Sequence, residues 1–574
     1  MMPNTEANVL IGGEAGQGLV TLSQILTRAI VRQGYYIMVT QSYHSRIRGG
    51  HNTYALRIST SPITAPKENV DILVALNKET VQLHSGELSA GGIIVLDEAL
   101  EIKNESYVSV PFKSLSADKY WNAAAVGVVT EILGLEMTGV EKVAREFFSK
   151  HSPEHVDANM ESFAAGLDWM KKNDLKFAKL ASAELKEPRI MVNGNEAIAL
   201  GALSIGMKSC FFYPMTPATS ISMTICEHAQ GMGVVAEQAE DEISAINMAI
   251  GASFCGSPSL VPTSGGGFAL MAEGLSLAGM TETPVVIVLA QRPGPSTGLP
   301  TRTEQGDLEF ALHAGHGEFP RAIFAPGSVE ECFWLTRKAF ETADEFKIPV
   351  ILMTDQYLAD CYNSVKPFAI DQLKTIDVCV PEPIEQPHLT YKITDSGISP
   401  RLLPGFSNSC VVAHSSDELV VADSDEHTEN GHLTEDLSIR AKMVEKRNRK
   451  FTGLKSVVLN PESVGPDAPD LLLVSWGSTK GSVHEVCDNL SNSGVKAAYL
   501  HFSQIWPINS DVVSKILNKA KEVVCVESNS TGQFAKLLRR ETGFHIEKTS
   551  LRYDGAPITP EHIMNRLELG TKDV

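Results

Sequence analysis

The run FFYPMTPATSISMTICEHAQGMGVVAEQAEDEISAINMAIGASF, residues 211–254, decides the fold. It opens as the end of a buried strand, Phe211 to Tyr213. It then turns at Pro214 and Pro217, whose fixed φ values hold Met215, Thr216 and the hydroxyls of Thr219 and Ser220 in a rigid loop. The closing portion reads as a helix that carries an acid on its apolar side. At about 100° per residue counted from Glu242, Ile246, Ala249 and Ser253 fall within roughly 40°, and Ile243 and Ile250 within about 100°. Glu240 points to the other side and Asp241 to the flank, so of three successive acids only Glu242 is directed inward. A carboxylate there is costly unless something donates a hydrogen bond to it or supplies positive charge. Either it stays protonated or a ligand nitrogen meets it.

Outward from this run, buried strands alternate with helices: PSLVPTS (258–264), PVVIVLAQ (284–291) and IPVILMTD (348–355). The pattern predicts a mainly parallel sheet covered on both faces, with ligands met at the carboxyl ends of its strands. Thr216, Gly265 to Gly267 and the loop from Arg292 to Arg302 sit at such ends.

Residues 9–34, VLIGGEAGQGLVTLSQILTRAIVRQG, read as a strand, a turn at Gly12, Gly13, Gly16 and Gly18, and a helix closed by Gly34. Such a turn presents backbone amides to an anion. The acid a dinucleotide site needs after the second strand is replaced by MVTQSYHSRIRGGH, with Arg46 and Arg48, which argues against NAD. The glycines otherwise serve strand–helix packing, and the two arginines suit a salt-bridging or interface role. Strands DILVAL (71–76) and GIIVLD (92–97) and helices across 123–170 complete this domain. A charged stretch, 171–189, ends it. An irregular connector over 381–460 finishes in the basic helix SIRAKMVEKRNRK, and a further α/β series follows with strands in 470–479, 495–508 and 522–533. The expectation is three α/β domains with mainly parallel sheets, at 1–180, 186–380 and 461–574.

The chain of 574 residues carries 49 basic and 69 acidic side chains, a net charge of −20, which argues against nucleic acid or an anionic membrane surface as partner. No apolar run approaches the length of a membrane span and the N-terminus lacks the pattern of a cleaved leader, so a cytoplasmic location is expected. The nine cysteines include no C-x-x-C pair, so neither a metal or iron–sulfur ligand set nor a disulfide framework is expected within the chain. His313 and His316 are three apart without a third ligand spaced to join them, which favours a structural role.

YPMTP, the acidic helix ending in Ile-Gly-Ala-Ser and the loop GPSTGLPTR together resemble the α subunit of 2-oxoacid:ferredoxin oxidoreductases. GGEAGQG and SRIRGGHN are similar to the γ domain of the same enzymes, here fused ahead of the α portion. DSDEH, GHLTED and KMVEKR are similar to the 2-oxoglutarate-type α subunits, and the last series looks like the family's transketolase C-terminal domain. The resemblance implies a pyrimidine-type thiamine diphosphate domain in which Glu242 bonds the cofactor's aminopyrimidine, with Pro214 and Thr216 beside it. It implies that Thr216 and Arg302 recognise the substrate carboxylate, with Ser296, Thr297 and Thr301 as nearby donors. Arg292 is the rival candidate and could equally anchor the loop. No G-D-G motif for Mg²⁺ and diphosphate and no cluster-binding cysteines occur here, so both the diphosphate grip and a [4Fe-4S] cluster are expected on a partner β subunit, in an (αβ)₂ assembly. The implied activity is CoA-dependent oxidative decarboxylation of 2-oxoglutarate with reduction of ferredoxin, reversible towards carboxylation. The alternatives are a pyruvate, indolepyruvate or branched-chain member, or a nucleotide-binding regulatory module built on GGEAGQG.

Overall fold

The computed structural model describes the whole chain except residues 1–3, 15–17, 44–49, 103–106, 117–119, 150–151, 174–176, 178, 377, 379–388, 402, 405–419 and 568–574. Gly16, Arg46, Arg48, Cys379, Cys410 and part of the connector therefore lie outside the described residues. The chain forms two compact units: one of Met1–Asn193 with Asp360–Phe368 and Thr559–Asn565, the other of Gly194–Ala359 with Ala369–Ile558 and Arg566–Val574.

The first unit is an eight-stranded sheet. Its strands are β1 (Glu6–Glu14), β2 (Tyr36–Ser42), β3 (His51–Ser59), β4 (Val70–Ala75), β5 (Leu88–Asp97), β6 (Tyr107–Val110), β7 (Ile190–Val192) and, from later in the chain, β14 (Tyr362–Val365). Their spatial order is 6-5-4-1-3-2-14-7. Pairing is parallel from β6 to β1 and antiparallel from there on. Two of the glycines read as a turn belong to the strand instead. Gly12 and Gly13 lie inside β1, paired with Thr53 and Asn52, while Gly18 caps the helix Leu19–Arg32 at φ 78°. That helix buries Leu22, Ile25, Leu26 and Ile30, the spacing of one helical face, against the sheet.

The second unit holds two sheets. One contains β8 (Ser209–Phe212), β9 (Val235–Gln238), β10 (Ser259–Thr263), β11 (Val285–Gln291), β12 (Ala322–Phe324) and β13 (Pro349–Asp355). The other contains β15 (Glu462–Val464), β16 (Leu471–Trp476), β17 (Ala497–Phe502), β19 (Glu522–Glu527) and β20 (Lys548–Leu551). The short β18 (Gln504–Trp506) follows β17 but joins the first of these sheets, giving the order 18-12-13-11-10-8-9 beside 15-17-16-19-20. Only the β12–β18 and β15–β17 pairs are antiparallel. β10, β11 and β13 are buried at every position, as strands covered on both faces must be. One apolar core runs through both sheets, from Ile246 and Val261 to Trp476 and Phe534. The basic stretch at the end of the connector forms the 20-residue helix Leu437–Ser456.

Candidate functional site

The loop after β8 is built as its prolines require and is clamped from below. Asn195, fully buried, donates from Nδ2 to Pro217 O at 2.8 Å and Ser220 Oγ at 2.7 Å. The Thr216–Pro217 bond is cis. Pro214 is exposed and Thr216 half-buried. Ala239 N–H closes the crossover by donating to Phe212 O at 2.8 Å, which delivers the chain to the helix Glu242–Phe254.

Asp241 is the N-cap of that helix, its Oδ1 accepting from Ser244 N–H at 2.7 Å. With the cap taken by Asp241, Glu242 is the first helical residue and turns inward. It is 3% exposed, whereas Glu240 faces solvent. Its Oε1 is buried without a hydrogen-bond partner. A buried oxygen of this kind is expensive to leave unmatched, so it marks a place where a polar group is to arrive. The surroundings are shaped to leave the carboxyl in place. A Cβ built on Gly267 would fall 2.2 Å from Thr263 Oγ1 and 2.5 Å from Glu242 Oε1, so only glycine lets the helix Gly265–Leu270 pass.

A second string of contacts ties three strand ends together. Arg292 Nη1 donates to Thr216 O at 2.6 Å. Asp307, whose backbone N–H donates to Gln291 Oε1 at 3.0 Å, faces both Arg292 and Gly265, where a Cβ would lie 2.5 Å from Asp307 Oδ2. Burial pushes the Asp307 carboxyl up to about 6, with Arg292 pulling the other way. Ser296, at φ 57°, turns its carbonyl to within 3.8 Å of the Cβ position of Gly266. Thr216, Arg292, Ser296 and Glu242 are thus gathered around the start of the Gly265–Leu270 helix, at the carboxyl ends of β8, β10 and β11.

Arg302 lies at the other end of the same loop. Its backbone N–H donates to Leu299 O at 3.2 Å, and its Cβ is 3.1 Å from the Cβ position of Gly555, whose carbonyl accepts from Thr303 N–H at 3.1 Å. Thr301 is buried, while Ser296 and Thr297 are exposed. The loop is pinned by Gln305, a residue no sequence pattern singles out. It is 1% exposed, donates to Trp476 O at 2.9 Å and accepts from Ser528 N–H at 2.9 Å. His313 and His316 make separate contacts: His313 Nε2 with Arg540 Nη1 at 3.1 Å, and His316 N–H to Ser276 Oγ at 2.9 Å. Among the described residues no group of three or more His, Cys, Asp or Glu side chains could hold a metal ion. Among them also, no helix is long and apolar enough to cross a membrane.

Three family models match consecutive parts of the chain. Residues 8–169 match pyruvate ferredoxin/flavodoxin oxidoreductase, 200–445 match pyruvate flavodoxin/ferredoxin oxidoreductase, thiamine diphosphate-binding, and 469–563 match core domain II of pyruvate:ferredoxin oxidoreductase. Sheet, buried glutamate and family models together define a subunit of a thiamine diphosphate-dependent 2-oxoacid oxidoreductase. The 2-oxoacid:ferredoxin oxidoreductase α subunit of Saccharolobus solfataricus is 30% identical over 96% of each chain. The 2-oxoglutarate oxidoreductase subunit KorA of Mycobacterium tuberculosis is 28% identical over 93% of this chain and 87% of its own. A solved 2-oxoglutarate:ferredoxin oxidoreductase from Magnetococcus marinus, with 2-oxoglutarate, coenzyme A and succinyl-CoA bound, superposes with a TM-score of 0.92 at 28% identity over 99% of both chains. The chain belongs to the 2-oxoacid:ferredoxin oxidoreductase family, as an α subunit.

Proposed function

We propose that this α subunit oxidises 2-oxoglutarate: 2-oxoglutarate, CoA and two oxidised ferredoxins give succinyl-CoA, CO₂, a proton and two reduced ferredoxins, with the reverse carboxylation open to the same site. When bound, thiamine diphosphate supplies the electron sink that a 2-oxo acid needs to lose CO₂. The observation that carries the reading is the buried, unpartnered Glu242 Oε1 at the head of its helix, which fits a protonatable ring nitrogen of that cofactor. Glu242 exchanges a proton with the nitrogen, and the wall of Thr263 and Gly267 keeps its carboxyl aimed and dry. Pro214 and Thr216 border the cofactor. Thr216 and Arg302 take the substrate carboxylate, with Ser296, Thr297 and Thr301 as hydroxyl donors and Arg292 holding the Thr216 loop against Asp307.

The diphosphate with its Mg²⁺ and the [4Fe-4S] cluster reside on a β subunit, since this chain has neither G-D-G nor paired cysteines. That subunit covers the apolar surface left on and around the Glu242 helix, where Ile243, Met248, Met223 and Leu270 are 49, 38, 60 and 50% exposed. The working assembly is a cytoplasmic (αβ)₂, in which residues 1–180, 186–380 and 461–574 act as γ, pyrimidine-type and transketolase C-terminal-like domains.

The test is to purify the complex and follow viologen reduction with 2-oxoglutarate, pyruvate and branched 2-oxo acids. Preference for 2-oxoglutarate, lost in Glu242→Gln with the complex intact, supports the reading. Comparable rates on several acids would replace it with a 2-oxoacid enzyme of broad substrate range. Full activity of Glu242→Gln would remove its chemical basis.

A further inference from the structure

The far end of the Glu242 helix borders a second polar centre. Over 13 residues at about 1.5 Å each, its last turn is roughly 18 Å from Glu242. There Glu282, 6% exposed, meets Lys446 Nζ and Lys450 Nζ, each at 2.5 Å. Lys450 also donates to Lys347 O at 3.0 Å, and Lys347 Nζ donates to Ser399 O. The flanking arginines are matched: Arg401 pairs with Asp344 at 2.6 Å and Arg447 with Glu426 at 2.8 Å. Three lysines therefore face the Glu282 carboxylate, with Asp423 acting on Tyr391 beside them, and the cluster is short of anionic charge. Buried cations without counterions lose protons or acquire an anion. Burial brings Lys347 down to about 7 and Lys446 to about 8, while Lys450 and Lys446 outweigh the effect of burial on Glu282 and take it to about 2.

Beside the cluster is an open recess of about 50 Å³, lined by Glu282, Thr283, Lys347, Tyr391 and Arg401 among others. Tyr391 is 2% exposed and its hydroxyl has no hydrogen-bond partner. An unpartnered buried hydroxyl, a lysine and an arginine thus line one recess beside the Glu282 carboxylate, which suits a ligand that accepts hydrogen bonds. We propose that this recess is a binding site for a small oxyanion, a phosphate or a carboxylate, held by the Tyr391 hydroxyl and the Lys347 ammonium with Arg401 at its rim. The occupant supplies the missing negative charge and ties the segment carrying Tyr391 and Ser399 to the ends of the surrounding helices. This site is independent of the substrate reading.

The test is thermal denaturation and calorimetric titration of the purified complex with inorganic phosphate and, separately, acetate, at ionic strength held constant with chloride. A saturable rise in Tm is expected with at least one of the two. Dissociation constants should be weakened tenfold or more in Tyr391→Phe and in Lys347→Met, and unchanged in Arg302→Met. Response to phosphate alone identifies a phosphate site, and response to acetate alone a carboxylate site. Tyr391→Phe keeps the ring and reports on the hydroxyl even if Lys347→Met folds poorly. The same affinity in wild type and Tyr391→Phe, or a Tm rise that chloride reproduces, overturns the proposal.

Discussion

Replacing Gly267 by alanine tests the placement of Glu242 without touching its chemistry. The added Cβ would sit 2.2 Å from Thr263 Oγ1, 2.5 Å from Glu242 Oε1 and 2.7 Å from Glu242 Cγ. Non-bonded carbon contacts settle at about 3.5 Å or more, so the carboxyl must retreat by about 1 Å, and the start of the Gly265–Leu270 helix must shift to clear the buried Thr263 hydroxyl as well. Overpacking of this kind costs about 1–3 kcal/mol of stability, and a misplacement of about 1 Å costs about 10²-fold in rate. Glu242→Gln keeps the shape and removes the proton, for which a loss of about 10²–10⁴-fold is expected with Tm nearly unchanged. The discriminating assay is 2-oxoglutarate-dependent viologen reduction by the purified complex for both single variants and the double. Since alanine acts by displacing the group that glutamine disables, the double variant should be little slower than Glu242→Gln alone. A folded Gly267→Ala complex within threefold of wild type, or losses that multiply in the double variant, would refute the assigned role of the carboxyl.

Arg302→Met should lower kcat/KM for the 2-oxo acid by about 10- to 10²-fold, as loss of a charge-assisted bond does, and steady-state kinetics checks it; Arg292→Met frees the Thr216 carbonyl and should lower Tm, read by melting curves. Asn195→Ala removes the donors to Pro217 O and Ser220 Oγ from a fully buried position and should cost about 1–3 kcal/mol, read by urea denaturation. Asp307 titrates at about 6 in the folded chain against an ordinary 3.8, so the folded state holds its proton more tightly. Its contribution to stability is present below pH 3.8 and lost as pH rises to about 6, by no more than about 3 kcal/mol. Asp307→Asn should therefore gain on wild type between pH 4 and 7, and denaturation midpoints that stay parallel across that range would contradict the sign.

What was legible in the sequence follows from the range over which each role is decided. β10, β11 and β13 could be read because strands covered on both faces are apolar at every position. The inward turn of Glu242 could be read because helical geometry fixes it within two turns, whatever packs outside. The same count placed Ile243 on the edge of the apolar side, yet it is 49% exposed. Periodicity gives a direction and does not say whose surface fills it, and the surface this chain leaves open beside Glu242 calls for another polypeptide. The continuation of β1 through Gly12 and Gly13 was hidden because two glycines resemble a turn until the facing residues of β3 are known.

The clamps of the site were hidden for a related reason. Gln305 is decided by Trp476, 171 residues on, and Asn195 by the turn at Pro217, 22 residues on. Nothing local distinguishes these side chains from solvated ones. Gly267 is required by an oxygen 25 positions away, and the sequence places Gly265 to Gly267 only at the carboxyl end of a strand. Side chains offered to ligands sit in short motifs that can be read, whereas those that hold the motifs in register are defined by partners the chain meets only on folding. A substitution at Gln305 or Asn195 should therefore disturb the site as surely as one at Thr216, with no motif altered.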